Sequence, residues 1–411
     1  MRVAVLAFAL SLIVAVSSVS LTHDKVTVAR SILESYMNQP EKELFKVYHY
    51  IFEKQYSLNT QEAIRRYKLF KNAVAFIKEH NSKNLSWTVE LNEFADMTNE
   101  EYLQYSNLSA PSSNDVEQIK PSINENYLGE IFRGRKLGFF DDMADRVDSL
   151  NDDDDQPLPK EDNDDLNDVD HGKWMPEVKN QRSCGSCWAF TAAAAIEAAW
   201  NIAKNTGSST IMEPVYTKPT STQQLVDCDP YSHGCNGGWM TYAFRYLSNY
   251  KKTLAFEENY PYTAKDGECK DTEVTSGINV TGHEGCAPGW WGYPSCTLQS
   301  FHDLLEKSPV GVAIDTNHEG FRYYRKGIID MHAYENSDSP YNCGRLTHAI
   351  TVYAMKKQNI PGLNSRFYFT VRNSWGTYWG EKGDFSIYYT SKYNSTCWIT
   401  KIAARPIVSL E

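Results

Sequence analysis

The chain has 411 residues, enough for two or three domain-sized units with cores of their own. Its 52 acidic against 41 basic residues leave a formal charge of −11, and no basic run stands out. Both points speak against a nucleic-acid partner held by phosphate neutralisation.

The chain begins MRVAVLAFALSLIVAVSSVSL. Arg2 precedes an apolar run from Val3 to Val16, and the small residues Ser17, Ser18 and Ser20 follow. That is the form of a secretory signal peptide, so residues 1–20 are expected to be removed. Read as a membrane anchor, the run falls short of the ~20 apolar residues that span a bilayer. No later segment is long enough either, and no stable membrane anchor is expected. In an oxidising compartment cysteines tend to pair. There are nine, Cys184, Cys187, Cys228, Cys235, Cys269, Cys286, Cys296, Cys343 and Cys397, all beyond residue 180. The odd count leaves one thiol over, either reactive or bridged to another chain. Sequons at Asn84, Asn107, Asn279 and Asn394 fit the same route.

Residues 27–105 are charged and helix-like, with no cysteine. In EAIRRYKLFKNAVAFIKEHN, Ile64, Leu69, Phe70, Val74 and Ile77 recur at helical spacing. In LNEFADMTNEEY, Asn92, Phe94 and Asp96 alternate as on an extended strand, and Thr98 is placed to cap a following helix. NLSAPSSND is turn-rich, and NDDDDQPLPKEDNDDLNDVD is too acidic to fold alone, so this stretch reads as an exposed linker. From Val169 the chain is rich in aromatics, glycines and spaced cysteines. CWAFTAAAAIEAAWNIA predicts a helix. VGVAID, AITVYAM, RFYFTVRN and DFSIYYT predict strands, so the order suggests α+β halves packed together.

QRSCGSCWAF sets Cys184 and Cys187 three apart ahead of a tryptophan. A redox dithiol needs both thiols and usually lies near a βαβ pattern, whereas here a helix runs on from Cys187. A zinc site wants four thiolates or imidazoles in close-set pairs, and Cys228 with Cys235 would have to be forced into that role. The third reading is a structural cysteine beside a reactive one. Cys187 opens a helix, where unpaired N–H groups favour a thiolate. GRLTHAITVY supplies His348 as an ion-pair partner, and RNSWGTYWG supplies Asn373 to hold the imidazole. Gln181, six residues before Cys187, is placed to offer a side-chain amide to an oxyanion. Taken singly, His348 reads as a satisfied or exposed histidine, Asn373 and Gly237–Gly238 as turns, and Trp375 with Trp379 as core.

Order and spacing lower those bland readings. NQRSCGSCWAF, QQLVDCD, GCNGGWM, LTHAI and RNSWGTYWGEKGDF follow one another as they do in one family. The chain resembles a papain-family cysteine protease precursor, cathepsin L-like, along nearly all its length. An interrupted propeptide helix pattern falls on Glu62, Arg66, Phe70, Ile77 and Asn81, with Ala73 where an asparagine is expected. A second propeptide pattern falls on Asn92, Phe94 and Asp96, with Glu90 in place of its glycine.

The resemblance implies an α+β, papain-like two-domain fold: a helical left domain and a β-barrel-like right domain with a cleft between, preceded by a helical propeptide. The expected divisions are signal peptide 1–20, inhibitory propeptide 21–106, acidic linker and activation segment 107–168 and peptidase domain 169–411. Cys187 is implied as nucleophile, His348 as base and then acid, Asn373 as its orienter, Trp375 as a shield over that contact and Gln181 as oxyanion donor. Gly237 and Gly238 would line the cleft, and Ala313 with Ile402 would form an apolar pocket for the second residue before the cut. The implied bridges are Cys184–Cys235, Cys228–Cys269 and Cys343–Cys397, leaving Cys187 reduced; Cys286 and Cys296 then pair by elimination. Expected partners are protein and peptide substrates and the chain's own propeptide as inhibitor, with a monomeric enzyme and no metal or cofactor. The expected destination is a lysosome- or vacuole-like acidic compartment or the outside of the cell, with self-conversion near pH 4–5, around the ordinary carboxylate range. Arg182 stands where the family usually has glycine, and Thr347 where Asp or Asn is common before the histidine. A catalytically silent homologue that binds peptides or partners is the alternative; it usually lacks one of the reacting residues, all of which are present here.

Overall fold

The computed structural model describes residues 24–106, 108, 166–206, 214–287, 296–330, 346–359, 366–389, 397 and 399–410. The signal segment, the acidic run up to residue 165, the stretch between Ala287 and Cys296, and Cys343 lie outside them.

The N-terminal module consists of α1 (Asp24–Tyr36), α2 (Glu41–Ile51), α3 (Gln61–Ser82), β1 (Trp87–Val89) and α4 (Asn99–Leu103). Helix α3 runs 22 residues without Gly or Pro, and Thr60 caps it by accepting from Ala63 N at 3.3 Å. It buries Ala63, Phe70, Ala73, Val74 and Ile77, with Phe70 packed between Phe45 and Tyr48 of α2 at ring distances of 5.1 and 4.8 Å. Ile64, expected on that face, is 62% exposed, because Ala63 takes the inward position.

The extended run expected at Asn92–Asp96 is a turn; the strand lies earlier, at Trp87–Val89. Asn92 bends the chain: its Oδ1 accepts from Phe94 N at 3.1 Å and its carbonyl accepts from Ala95 N at 3.1 Å. The turn sends Asn92, Phe94 and Asp96 inward to different partners, and all three are buried. Asp96 accepts from Tyr48 OH at 2.9 Å, Tyr56 OH at 2.7 Å and Lys54 Nζ at 2.7 Å. Thr98 then starts α4 with a capping box closed by Glu101.

The C-terminal part runs β2 (Val169–Asp170), α5 (Cys187–Thr206), α6 (Thr222–Cys228), α7 (Met240–Tyr246), β3 (Thr253–Ala255), β4 (Gly277–Cys286), α8 (Leu298–Lys307), β5 (Val310–Ile314), α9 (Glu319–Arg322), β6 (Tyr324–Ile329), β7 (His348–Gln358), β8 (Arg366–Arg372), β9 (Asp384–Tyr388) and β10 (Ala403–Ser409). Strand order is β1-β6-β9-β8-β7-β5-β10-β4-β3, with β2 beside β7. The expected barrel-like half is thus an open sheet whose end strands, β1 and β3, do not meet.

Two cores flank the site. One holds α5, α7 and the β3–β4 end, with Trp188, Ile196, Trp239 and Phe244. The other joins the β-rich half to the N-terminal module in a single cluster, with Phe70, Phe94, Tyr102, Phe321, Trp375 and Trp379. The module is also stitched on by β1, antiparallel to β6 with Trp87 opposite Gly327, as an added edge strand. Gly327 has φ +95°, and a Cβ there would lie 2.3 Å from the Ser86 carbonyl oxygen. Gly327→Ala adds that clash to the ~1–2 kcal/mol cost of a left-handed L residue. Limited proteolysis at neutral pH should then digest the N-terminal module faster than in the unaltered chain, while the rest resists. Equal resistance of the two modules would contradict the anchoring role of this strand.

Candidate active site

The loop before α5 is tied to the segment after β8. Gln181 N donates to the Ser374 carbonyl at 2.8 Å, and Asn180 bridges to Trp375. Arg182 holds φ +53°, with its N–H on Asn180 Oδ1 at 2.8 Å. The left-handed turn that suits glycine is therefore kept with a side chain on it, at a cost of roughly 1 kcal/mol. Cys184 is bonded to Cys235, Cys228 to Cys269 and Cys286 to Cys296. Cys397 is also in a disulfide, and Cys343 lies outside the described residues. Cys187 is in no bridge; it is buried as the first residue of α5.

His348 opens β7 and is fully buried. Its Nε2 lies 2.7 Å from Asn373 Oδ1, an acceptor, so the neutral ring carries its proton there and Nδ1 is the basic nitrogen. Asn373 Oδ1 is itself fixed by the Ser374 N–H at 2.8 Å. Trp375 covers the pair, its ring 4.8 Å from the imidazole. Burial pushes the His348 pKa down to about 4, against the opposing pull of Asn373 and the nearby Tyr105 carbonyl.

Gln181 is wholly buried. Its Nε2 donates to the Cys184 carbonyl at 2.9 Å and to the Tyr105 carbonyl at 3.1 Å, while its Oε1 accepts from Ser374 Oγ at 2.6 Å. Tyr262 OH donates to the Gln181 carbonyl at 2.8 Å. Neither Ser374 nor Tyr262 stood out in the sequence; a serine between Asn373 and Trp375 was the only available signal.

The segment after α4 crosses this site. Phe94 and Tyr102 meet Trp375 edge-on at 5.1 and 5.7 Å. The Tyr105 carbonyl then reaches Gln181, and Leu108 joins the apolar cluster that holds Cys187, Trp188, Ala313, Ala349 and Ile402. Arg322 grips the module from the other side, donating to the Phe94 carbonyl and to the Met97 carbonyl at 2.7 Å. Arg30 and Arg325 hold Glu90 between them at 2.8 and 3.1 Å. Gly237 and Gly238 follow a short turn, and a Cβ on Gly238 would lie 2.8 Å from Trp188.

Cys187 therefore shares an apolar cluster with Ala313 and Ile402, His348 meets Asn373 and Trp375, and Gln181 and His348 both face the Tyr105 carbonyl. A thiol at a helix start, a held imidazole and a buried amide donor suit acyl transfer through sulfur.

Comparison with known proteins fits this chemistry. A family described as papain family cysteine protease matches residues 163–407, and one described as cathepsin propeptide inhibitor domain (I29) matches 45–102. The chain is 32% identical over 415 residues to cysteine protease XCP2 of Arabidopsis thaliana, covering 98% of this chain and 97% of that one. It is 28% identical to cathepsin L 1 of Paramecium tetraurelia, covering 85% and 88%. Among solved structures, a recombinant stem bromelain precursor superposes with a TM-score of 0.62 at 26% identity, over 90% of this chain and 100% of that one. Digestive procathepsin L2 from Tenebrio molitor larval midgut gives 0.62 at 28%, over 89% and 99%.

With His348 neutral above about pH 4, it offers no cation to a Cys187 thiolate while the N-terminal segment covers the site. Iodoacetamide at pH 6 should label Cys187 at least ~10-fold more slowly in the full chain than after the N-terminal module is removed. Equal rates would show that the covered thiol is already ionised and reachable.

Proposed function

From a chain that belongs to the papain family of cysteine proteases, a cysteine-type endopeptidase carrying its own propeptide inhibitor domain, we propose a Cys187–His348–Asn373 mechanism held latent until the propeptide leaves. The Cys187 thiolate attacks the scissile carbonyl carbon. Gln181 Nε2 and the Cys187 backbone N–H receive the oxyanion as it forms. His348 protonates the departing amine, leaving a thioester on Cys187. His348 then takes a proton from water, the hydroxide adds to the thioester, and the carboxylate product departs as the thiolate returns. Asn373 keeps the ring oriented through both proton transfers, and Trp375 keeps water from that bond.

The observation that carries this reading is the Tyr105 carbonyl, a peptide group from the chain itself received by the Gln181 amide beside His348. The occluding segment passes from the Trp375 side to the Leu108 cluster, so its later residues lie where a substrate's earlier ones belong. Ala313 and Ile402 bring no charge to the pocket for the second residue before the cut, which favours Val, Leu or aromatics there over Arg. The acidic linker, residues 107–168, is the proposed place of the activating cut, and a secretory, acidic or extracellular setting is the proposed destination. Among the described residues no helix is long and apolar enough to cross a membrane.

The test is a pair of fluorogenic peptides differing only at that position. The activated enzyme should cleave the Leu form at least ~10-fold faster than the Arg form, with thiol alkylation abolishing both rates. Cys187→Ala should fold and show no turnover. Residual turnover at the unaltered level would remove Cys187 from its role.

Carboxylates whose pKa values are shifted in opposite directions set the pH of release. Glu101 is held below its ordinary value of 4.5 by Arg66, and it also accepts the Thr98 N–H at 2.8 Å. Its stabilisation is complete above 4.5 and is lost as pH falls through its depressed value. Burial pushes Glu90 and Glu93 up to about 7 despite the cations beside them. Their ionisation weakens docking at neutral pH, so protonating them between about 7 and 4.5 tightens it. Latency should hold down to pH ~5 and fail below ~4.5, the lower part of the range expected from carboxylates alone. A pH series on the unaltered precursor beside Cys187→Ala reads this directly. Glu101→Gln should leak activity at pH ~6, where Glu101 is otherwise charged. Conversion of the unaltered precursor at pH ~6 would reverse the assignment of signs.

A further inference from the structure

Two hydroxyls beside His348 have no part in the acyl transfer. Thr316, just past β5, is wholly buried, and Thr347 immediately precedes His348. Thr347 Oγ1 accepts the Thr316 N–H at 3.0 Å, faces the Ile314 carbonyl at 3.5 Å and lies 3.2 Å from Thr316 Oγ1. From the occluding segment, Ser106 reaches the same spot: Thr316 Oγ1 donates to Ser106 Oγ at 2.9 Å. Ser106 directly follows Tyr105, whose carbonyl is on Gln181, and is only 5% exposed.

We propose that Thr316, oriented by Thr347, reads the side chain of the substrate residue that follows the cut and selects Ser, Thr or Asn there over aliphatic residues. The proposal rests on the peptidase reading above. The leaving amine takes its proton from His348, so the residue carrying that amine lies against His348 and its neighbours. Thr347 is already committed to a backbone donor and a backbone acceptor, which fixes the Thr316 turn. Thr316 has one proton and two lone pairs, so it can serve a hydroxyl or either end of an amide. A substrate with Val or Leu there leaves the Thr316 hydroxyl shut from water without the bond it now makes to Ser106. Sites that hydrogen-bond a substrate side chain discriminate strongly against analogues that lack the partner. Asn317, Leu346 and Thr347 form the peptidase wall of an adjoining groove whose other wall, Glu100, Leu103, Gln104, Ser106 and Leu108, departs with the occluding segment and leaves that side open. The hydroxyl at position 347 also stands where the resembled family commonly carries Asp or Asn, so this wall is neutral rather than acidic.

The experiment uses activated enzyme and four quenched peptides identical except at the residue after the cut: Ser, Asn, Ala or Val. The Ser and Asn peptides should show kcat/KM roughly 10-fold above the Val peptide. Thr316→Val, near-isosteric, should bring the Ser-to-Val ratio toward one by loss on the Ser and Asn peptides. Thr316→Ser, which restores the hydroxyl, should restore the ratio. A flat profile in the unaltered enzyme, or a preference that survives Thr316→Val, overturns the proposal. No cleavage of any of the four by unaltered enzyme, with Cys187 intact to alkylation, would instead overturn the peptidase reading.

Discussion

Everything in the site converges on one hydrogen bond, from the Gln181 side chain to the Tyr105 carbonyl. Gln181 is held by the Ser374 hydroxyl and by Tyr262, so its amide has one direction to point. The groups that hold it come from both halves of the peptidase part, and the carbonyl it receives comes from the N-terminal module. A buried amide donor costs free energy when unpaired, so the pocket is most comfortable when some peptide carbonyl fills it. The same requirement that makes the pocket suited to an oxyanion makes it a docking point for the chain's own backbone.

That docking is not a local plug. Phe94 and Tyr102 lie in the same apolar cluster as Trp375, Trp379 and Phe321, so the module continues the core of the β-rich half. Burial also sets the electrostatics. The covered imidazole is kept neutral, and Glu90 and Glu93 resist ionisation, because water has been removed from them. Inhibition and catalysis therefore share one variable, the wetness of the cleft.

Much of this was legible in the sequence. The Ala-rich run after Cys187 and the β-branched runs around Val310, Ile350 and Phe369 form the elements their patterns predict, because local preference and burial agree there. β4 was not legible: GINVTGHEGC has three glycines and no clean alternation, and it becomes a strand through its long pairing with β10. The turn at Asn92–Asp96 misled for the opposite reason, since alternating burial there comes from a side-chain hydrogen bond rather than a pleat. The residues proposed to react, Cys187, His348 and Asn373, could be named from order and spacing. Their supports could not: Ser374 reaches Gln181 across 193 residues, and Ser106 reaches Thr316 across 210. Contacts of that span depend on the fold, and a lone serine carries no local mark of them.

The clasp around Glu90 has an outcome once the module departs. Arg325 loses the carboxylate it shares with Arg30, and Arg322 loses the Phe94 and Met97 carbonyls. The face left behind carries the guanidiniums of Arg322 and Arg325, on a peptidase part, residues 169–411, whose 23 basic and 23 acidic residues balance. These guanidiniums attract the Glu90 carboxylate of a returning module at distances up to a Debye length, about 10 Å at 0.1 M salt. Recapture of a released module is then quickest in dilute buffer and slows as salt rises, so ionic strength joins acidity in deciding how long the uncovered enzyme remains open.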